Sequence, residues 1–288
     1  MKRFLPENIK CVAVVSPAGH PDKEKLAAGI AFMRENGLKV KTFPGTFGVV
    51  NDTGYLASSD TQRAEEFTKA YLDEEVDMIF SSRGGYGCAR MLPYLDWDKL
   101  KQRNIPVAGY SDLTSLFWAM TANCCGTPVA STMTSELAFC SQRELDGIYA
   151  ACSGKERTFT LEPIKSGTAT GTIIAGNLTV AASCAGTPYM PSAKGKILFL
   201  EDVGEAPYRI DRSLNQLCQC GFLSECSGLV CGYFSGADIS AVRNIITHYS
   251  KYINGPVLMN FAYGHELPFD ALSFRQTAII NEKVLSVK

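Results

Sequence analysis

Strand patterns alternate with helix patterns throughout the first half of the chain. Short apolar runs predict the strands, and apolar residues spaced three and four apart predict the helices between them. Strands joined by such helices pair in parallel, because the helix returns the chain to the same end of the sheet. The pattern therefore predicts an α/β fold with a parallel sheet. The predicted strands are 11–16, 39–43, 76–82 and 105–110, and the predicted helices are 23–35, one that opens at Ser59, and 113–122.

The second half of the chain predicts a mixed α/β arrangement that does not repeat the first. Its strands are predicted near 168–174, 196–201, 228–233 and 256–261, and its helices near 208–220 and 238–252. Between about 142 and 170 the regular patterns weaken, which is typical of a connection between domains. We therefore predict an N-terminal domain at residues 1–145, a linker at 146–164 and a C-terminal domain at 165–288.

Charge and composition argue against several classes of function. The 288 residues include 28 Lys and Arg against 29 Asp and Glu, so the net charge of -1 offers no basic field to nucleic acid or an anionic membrane. No apolar run is long enough to span a membrane, and the first residues lack the apolar core of a signal peptide. Eleven scattered cysteines without a C-x-x-C pair indicate reduced thiols. We predict a cytoplasmic protein that acts on a small polar molecule.

Residues suited to chemistry follow two of the predicted strands. Ser111 stands between a strand and a helix, where its hydroxyl would lie beside the free N–H groups of the helix start. The glycine-rich turn Arg83-Gly-Gly-Tyr-Gly87 follows the preceding strand and offers backbone amides to an anion. Ligands of parallel sheets bind at the carboxyl ends of the strands, which predicts one site for both segments. A helix cap at Ser111 and a plain tight turn at the glycines are the alternative interpretations.

A serine nucleophile needs a base, and the chain contains three histidines. His248 lies late in a predicted helix, where a cation is favourable without any chemistry. His20 lies in a loop ahead of a helix, whereas His265 follows a buried strand and is the best candidate for a general base. Glu201 or Asp202, at the end of another apolar strand, could orient the imidazole. Both acids could instead cap the next helix or pair with nearby arginines.

Together these segments resemble the LD-carboxypeptidase family of serine peptidases, which includes muropeptide LD-carboxypeptidases and microcin C immunity peptidases. The resemblance covers most of the chain, and its specificity lies in the order and spacing of the motifs. It implies a flavodoxin-like N-terminal domain, a C-terminal domain of mixed strands and helices, and an active site in the cleft between them. The segments that carry it are Val15–Gly19, Ser82–Arg90, Gly109–Thr114, Gly176–Thr179, Gly186–Pro188, Phe199–Asp202, Tyr208–Arg212 and Gly264-His265.

The resemblance also implies roles for particular residues. Ser111 would be the nucleophile, His265 the general base, and Glu201, in preference to its acidic neighbours, the residue that orients the imidazole. The backbone amides of Asp112 and of the glycine turn, at Gly85, would form the oxyanion hole. No metal or cofactor is implied. Members of the family commonly form homodimers.

By resemblance, the substrate is a murein tetrapeptide, cut between the L-centre of its diamino acid and the terminal D-alanine in the cytoplasm during wall recycling. A carboxypeptidase must also hold a free terminal carboxylate, so a cation or an amide nest is expected near the scissile bond. We predict Arg83 for that role and Tyr86 as a further substrate contact.

Two other functions stay open on the sequence, and a third is disfavoured. A microcin C type immunity peptidase would read a peptidyl-nucleotide through an aromatic-bearing loop between nucleophile and acid. Here the interval 114–200 looks compact and Trp118 belongs to a predicted helix, which favours a murein peptide. A non-catalytic peptide- or sugar-binding protein would use the same cleft and would not need Ser111. A cysteine amidotransferase would need a cysteine at a strand-to-helix turn beside a suitable histidine, and the sequence has none.

Overall fold

The structure, a computed structural model, describes residues 4–48 and 53–288. Its strands are β1 (Cys11–Val15), β2 (Lys39–Thr42), β3 (Met78–Ser81), β4 (Pro106–Gly109), β5 (Thr127–Ala130), β6 (Arg157–Thr160), β7 (Glu162–Lys165), β8 (Thr168–Asn177), β9 (Lys196–Val203), β10 (Gly228–Ser235), β11 (Val257–Met259), β12 (Leu272–Ser273), β13 (Thr277–Asn281) and β14 (Val284–Val287). Its α-helices are α1 (Lys23–Glu35), α2 (Asp60–Leu72), α3 (Cys88–Met91), α4 (Trp97–Leu100), α5 (Leu113–Ala122), α6 (Thr134–Leu137), α7 (Gln142–Ser153), α8 (Leu178–Ser183), α9 (Pro207–Gln219), α10 (Phe222–Glu225) and α11 (Ile239–Tyr249). Short 3₁₀ helices cover Leu92–Tyr94 and Ser250–Tyr252. None of the helices within the described ranges has the length and apolarity to cross a bilayer.

The first sheet contains six strands within the described residues, in the order β12-β5-β4-β3-β1-β2. The five strands from the first half of the chain run parallel, and β12 pairs antiparallel with β5 at the edge. Helix α1 covers this sheet with a buried face formed by Leu26, Ile30 and Met33. Asp22 caps its first turn, and Gly37, with a φ of 82°, lets the chain leave it. The predicted parallel sheet is confirmed.

The second sheet contains eight strands in the described part of the chain, in the order β6-β14-β13-β8-β9-β10-β11-β7. Its central strands β8, β9, β10 and β11 are parallel, and the outer strands pair antiparallel. The mixed α/β character predicted for the second half is confirmed. The hairpin of β13 and β14 was not predicted.

The segment 146–164, predicted as a linker, contains regular structure. It holds the end of α7, the whole of β6 and most of β7. The two strands form the opposite edges of the second sheet. Alternate residues of β6 are exposed, so its threonines gave the segment the composition of a loop. The predicted domain boundaries at 145 and 165 stay a prediction.

Helix α5 lies between the two sheets, and residues 113–120 of it are all buried. Phe117 packs in the core of the first sheet, whereas Trp118 packs in the core of the second. The indole N–H of Trp118 donates to the carbonyl of Ala175 in β8 at 3.1 Å. This helix is therefore held against both halves of the chain.

Candidate active site

Ser111 lies in the turn between strand β4 and helix α5, at the carboxyl end of the parallel sheet. Its φ is 63°, in the left-handed region that a residue with a side chain seldom adopts. The glycine turn of 84–87 lies directly against it, since a Cβ at Gly84 would be 3.1 Å from the Cβ of Ser111. The structure thus brings together the two segments that end β3 and β4.

The imidazole of His265 contacts both Ser111 and Glu201. Its Nε2 lies 3.1 Å from Oγ of Ser111, and its Nδ1 lies 2.8 Å from Oε2 of Glu201. An ionised carboxylate only accepts hydrogen bonds, so the imidazole proton belongs on Nδ1. Nε2 is then able to accept the hydrogen bond of the serine hydroxyl. Three side chains that are distant in sequence form one hydrogen-bonded series.

Glu201 lies near the end of strand β9, with its side chain 0% exposed. Gly264, whose φ is 132°, passes directly over this carboxylate. A Cβ at position 264 would lie 3.0 Å from Oε2 of Glu201. Both the backbone conformation and the close approach therefore require glycine, and they bring His265 to the carboxylate.

Burial and the ion pair act on the pKa values of both groups. Burial raises the pKa of the Glu201 carboxyl, and the hydrogen bond from His265 offsets part of that rise. Burial also disfavours the imidazolium of His265, but the hydrogen bond and charge of Glu201 outweigh this effect. The pKa of the imidazole is therefore raised above its usual 6.5. The arrangement makes the imidazole a better proton acceptor.

Asp202, the neighbour of Glu201, is engaged by other groups. Its carboxylate accepts hydrogen bonds from the side-chain amide of Asn177 and from both the amide and the hydroxyl of Thr179. These bonds hold the start of helix α8 against strand β9. The structure thereby separates the two acids that the residues alone left open, since Glu201 faces the imidazole.

Two backbone amides belong to the turns that meet at Ser111, those of Gly85 and Asp112. The carbonyl of Gly84 accepts the N–H of Gly19 at 3.1 Å. The N–H of Gly85 points the opposite way across the same trans peptide, and therefore away from Gly19. Among the described residues, neither the amide of Gly85 nor that of Asp112 has a hydrogen-bond acceptor. Both N–H groups are therefore free to donate to a bound ligand.

Arg63 and the side chain of Asp112 stabilise the serine turn, the glycine turn and the loop after β1. Neither contact was predicted from the sequence. The Asp112 carboxylate accepts the amide of Cys88 at 2.8 Å, which links the serine turn to the glycine turn. The buried guanidinium of Arg63, in helix α2, donates to the carbonyls of Pro17 and Gly87. It joins the glycine turn to the loop after β1. An arginine on a helix with many polar residues carries no sequence signal of such burial.

Tyr110 packs against the imidazole and was likewise not singled out. Its ring centroid lies 4.9 Å from that of His265, and its hydroxyl donates to Oε1 of Glu136 at 2.8 Å. Burial raises the pKa of the phenol, so Tyr110 remains a neutral donor. The charge of Glu136 adds to the rise in the pKa of His265.

Comparisons with known proteins agree with this architecture. The sequence profile of the LD-carboxypeptidase N-terminal domain matches residues 12–131, and that of the C-terminal domain matches residues 170–280. A probable murein peptide carboxypeptidase from Bacillus subtilis is 30% identical, over 94% of this chain and 88% of its own length. The chain belongs to the LD-carboxypeptidase family. It is therefore a serine peptidase, a hydrolase of peptide bonds.

Solved structures share the fold of this LD-carboxypeptidase family member. A muramoyltetrapeptide carboxypeptidase from Oxalobacter formigenes matches with a TM-score of 0.85 at 26% identity, over 96% of this chain and 98% of that chain. An MccF-like protein from Bacillus anthracis matches with a TM-score of 0.87 at 22% identity, over 97% and 96%. The predicted two-domain α/β architecture is confirmed. The second likeness shows the fold alone.

Open space adjoins the imidazole of this LD-carboxypeptidase family member. A cavity of about 370 Å³ is lined by His265 and by largely apolar and aromatic walls. Lys25, Glu136 and Glu266 supply the charged groups of the lining. Within the described residues, the ammonium of Lys25 forms no ion pair. The cavity is large enough for one or two amino-acid residues.

A second cavity, of about 410 Å³, adjoins the glycine turn at Gly85. It is lined by His20, Tyr55, Arg83 and Tyr86, so both predicted substrate-binding residues lie here. The guanidinium of Arg83 donates to the backbone carbonyl of His20 at 2.8 Å. The rings of Tyr55 and Tyr86 lie 6.0 Å apart, and both are about half exposed.

The third histidine of this family member, His248, lies exposed on helix α11, where its ring contacts Tyr249 and Tyr252. This placement agrees with the structural interpretation of His248. Across residues 4–48 and 53–288, no group of three His, Cys, Asp or Glu side chains is arranged to hold a metal ion.

Proposed function

We propose that this protein is a serine LD-carboxypeptidase that removes the terminal D-alanine from murein tetrapeptides in peptidoglycan recycling. The bond cleaved joins the L-centre of the diamino acid to D-alanine. The observation that carries the proposal is the hydrogen-bonded series of Ser111, His265 and Glu201 at the carboxyl end of the first sheet. The names of the relatives from B. subtilis and O. formigenes support the substrate class.

In the first step, Oγ of Ser111 attacks the carbonyl carbon of the scissile peptide bond. As the new C–O bond forms, the hydroxyl proton passes to Nε2 of His265, and the carbonyl oxygen becomes negatively charged. The Glu201 carboxylate stabilises the imidazolium. The amides of Gly85 and Asp112 donate to the oxyanion, and each such donor contributes a factor of roughly 10²–10³ in rate.

The second step releases D-alanine. The C–N bond breaks, and the imidazolium of His265 gives its proton to the departing amine. The diamino acid remains as an ester on Ser111. A water molecule then attacks this ester, His265 accepts a proton from it, and the proton returns to Oγ as the ester bond breaks. The products are a tripeptide and D-alanine.

Binding of the terminal carboxylate is proposed for Arg83, whose guanidinium lines the cavity beside Gly85. A guanidinium and a carboxylate form charge-assisted hydrogen bonds that fix orientation as well as affinity. Tyr86, about half exposed in the same cavity, would contact the peptide. Together they would place the scissile carbonyl between Ser111 and the free amides.

A murein peptide is favoured over a peptidyl-nucleotide on two grounds. The B. subtilis relative, named a probable murein peptide carboxypeptidase, is 30% identical, whereas the likeness to the MccF-like protein, at 22% identity, shows the fold alone. In addition, Trp118, in the interval between Ser111 and Glu201, is 0% exposed between the sheets. Its ring is not available for a nucleobase.

A cytoplasmic site of action and a homodimer also belong to the proposal, by resemblance to the family. All eleven cysteines are free, which suits a reducing compartment. Light scattering of the purified protein would measure the oligomeric state, and cell fractionation would measure the location. A monomer, or a protein outside the cytoplasm, would contradict these parts.

The test of the proposal is mass-spectrometric product analysis with the parent protein and Ser111→Ala. The substrate is L-Ala-D-Glu-meso-diaminopimelate-D-Ala, and the pentapeptide ending in D-Ala-D-Ala is the control. We expect D-alanine from the tetrapeptide alone, and only with the parent protein. Release from neither peptide would contradict murein as the substrate and would direct the search to peptidyl-nucleotides.

A further inference from the structure

The hydroxyl of Thr114 joins the turn that holds Ser111 to the second half of the chain. Thr114 lies in the first turn of α5 and is 1% exposed. Its Oγ1 donates to the carbonyl of Ser111 at 2.7 Å and accepts the backbone N–H of Asn177 at 2.8 Å. A hydroxyl has one proton and an amide N–H can only donate, so the direction of both bonds is fixed.

Asn177 connects this hydroxyl to the strand that carries Glu201. It is the last residue of β8 and lies opposite Glu201 in the parallel register of β8 and β9. The preceding residue, Gly176, packs directly on Thr114, because a Cβ at position 176 would lie 2.4 Å from Cγ2 of that threonine. The end of β8 and the start of α5 are therefore in direct contact, and a shift of one displaces the other.

The backbone of Ser111 needs hydrogen bonds from its neighbours to keep its conformation, because a φ of 63° is unfavourable for a residue with a side chain. Its carbonyl accepts two donors from Thr114, the backbone amide at 3.0 Å and the hydroxyl at 2.7 Å. Any residue at position 114 except proline supplies the first bond. Only serine or threonine supplies the second together with an acceptor for Asn177.

We propose that the Thr114 hydroxyl is a positioning group that sets the contact between Ser111 and His265. This inference rests on the proposed function, in which Ser111 is the nucleophile. The two reacting groups come from different halves of the chain, so the 3.1 Å distance between Oγ and Nε2 depends on how these halves are joined. A misplacement of about 1 Å in a reacting group can lower a rate by about 10²-fold.

Two substitutions separate the hydroxyl from the shape of the side chain. Thr114→Val keeps the shape and removes the hydroxyl, whereas Thr114→Ser keeps the hydroxyl. We expect Thr114→Val to lower kcat by about 10²-fold with little change in KM, because residue 114 is buried away from substrate. Thr114→Ser should keep most of the kcat of the parent protein. Equal losses in the two variants would overturn the inference.

The matched control is Trp118→Phe, one turn further along the same helix. It removes another hydrogen bond between α5 and β8, the one from the indole to Ala175, without touching Ser111. Thermal unfolding shows how far each variant is destabilised. We expect Trp118→Phe to lose stability and keep kcat near that of the parent. If it lowers kcat as much as Thr114→Val does, the role is general docking of the helix and the inference is overturned.

Labelling with a serine-directed fluorophosphonate makes the test independent of the natural substrate. Oγ of Ser111 forms a bond to phosphorus, its proton passes to His265, and fluoride leaves. We expect Thr114→Val to be labelled about 10²-fold more slowly than the parent, as followed by intact-protein mass spectrometry. Equal rates would overturn the inference alone. No labelling of Ser111 in the parent would overturn the proposed nucleophile, and this inference with it.

Discussion

The two halves of the molecule hold their parts of the candidate site in different ways. In the N-terminal half, Ser111 occupies a tight turn with regular structure on both sides. In the C-terminal half, Glu201 lies on strand β9, but His265 lies in the long loop between β11 and β12. The serine turn is thus formed by residues that are neighbours in the chain, and the bond between Thr114 and Asn177 joins it to the second half. The position of the imidazole depends on what its loop contacts.

The loop that carries His265 is attached to both sheets. It leaves β11 in the second sheet and enters β12, which pairs with β5 in the first sheet. Near its far end, Asp270 pairs with Arg143 of α7 and Arg157 of β6. Between β11 and Asp270, Gly264 packs directly on the Glu201 carboxylate. The loop that carries His265 is therefore positioned by contacts with both halves of the chain. Substitutions in the loop and in the N-terminal half test this difference from the serine turn.

Glu201→Gln is expected to have the largest effect of the variants that test this contrast. The amide keeps the size of the carboxylate, removes its charge and can present a donor to Nδ1, so the imidazole loses its tautomer and orientation. We expect a loss of about 10⁴-fold in kcat. Asp202→Asn is the control on the same strand, and it should lower the unfolding temperature and change kcat little, because its bonds go to Asn177 and Thr179. Greater loss of kcat in Asp202→Asn would reverse the assignment.

Gly264→Ala tests whether the loop depends on its contact with Glu201. A side chain at a φ of 132° is strained by about 1–3 kcal/mol. Its Cβ would also meet the Glu201 carboxylate, so His265 should shift and kcat should fall by about 10²-fold. Gly204→Ala, at a φ of 71° with no atom within 4 Å of its Cβ, carries strain without that contact. Urea unfolding and steady-state kinetics compare the two. Equal kcat losses would refute a specific role for Gly264.

Arg83→Met tests the cavity of the N-terminal half. Loss of a charge-assisted hydrogen bond to the substrate carboxylate should raise KM about tenfold with little change in kcat. A substrate ending in D-alaninamide should show a smaller difference between parent and variant. Lys25→Met, in the cavity beside His265, is the control. A rise in KM for Lys25→Met and none for Arg83→Met would place the carboxylate in the other cavity.

The pH profile is expected to show the smallest change. Glu201 raises the pKa of His265 above 6.5, and a protonated imidazole cannot accept the serine proton. The value of kcat/KM should therefore fall as the pH is lowered, with a midpoint above 6.5. In Glu201→Gln the burial of the imidazole still lowers its pKa and only the smaller effects of Glu136 and Asp202 oppose it, so the residual activity should have a lower midpoint. An unchanged midpoint would show that Glu201 does not set the pKa.

Elements whose signals are local could be predicted from the sequence. Helices α1 and α5 have the predicted bounds. Helix α1 is marked by its Asp22 cap and its apolar spacing, whereas α5 is a short apolar run that follows the serine turn. The two-residue strand β12 has no such signal, since it exists through its pairing with β5. Burial of Arg63 was missed for the same kind of reason, because two of the carbonyls that accept its hydrogen bonds, those of Pro17 and Gly87, lie in other segments.

The sequence by itself determined the parallel sheet and the turn that presents Ser111. Through resemblance to a family, it also determined the candidate residues of the site. Reasoning from the residues alone left Glu201 and Asp202 open. Only the tertiary structure decided which acid faces His265, and only it showed that Thr114 joins the serine turn to β8. The physical reason is range. Capping and periodicity act within a few residues, whereas a contact between groups 154 residues apart depends on how two sheets pack on one helix.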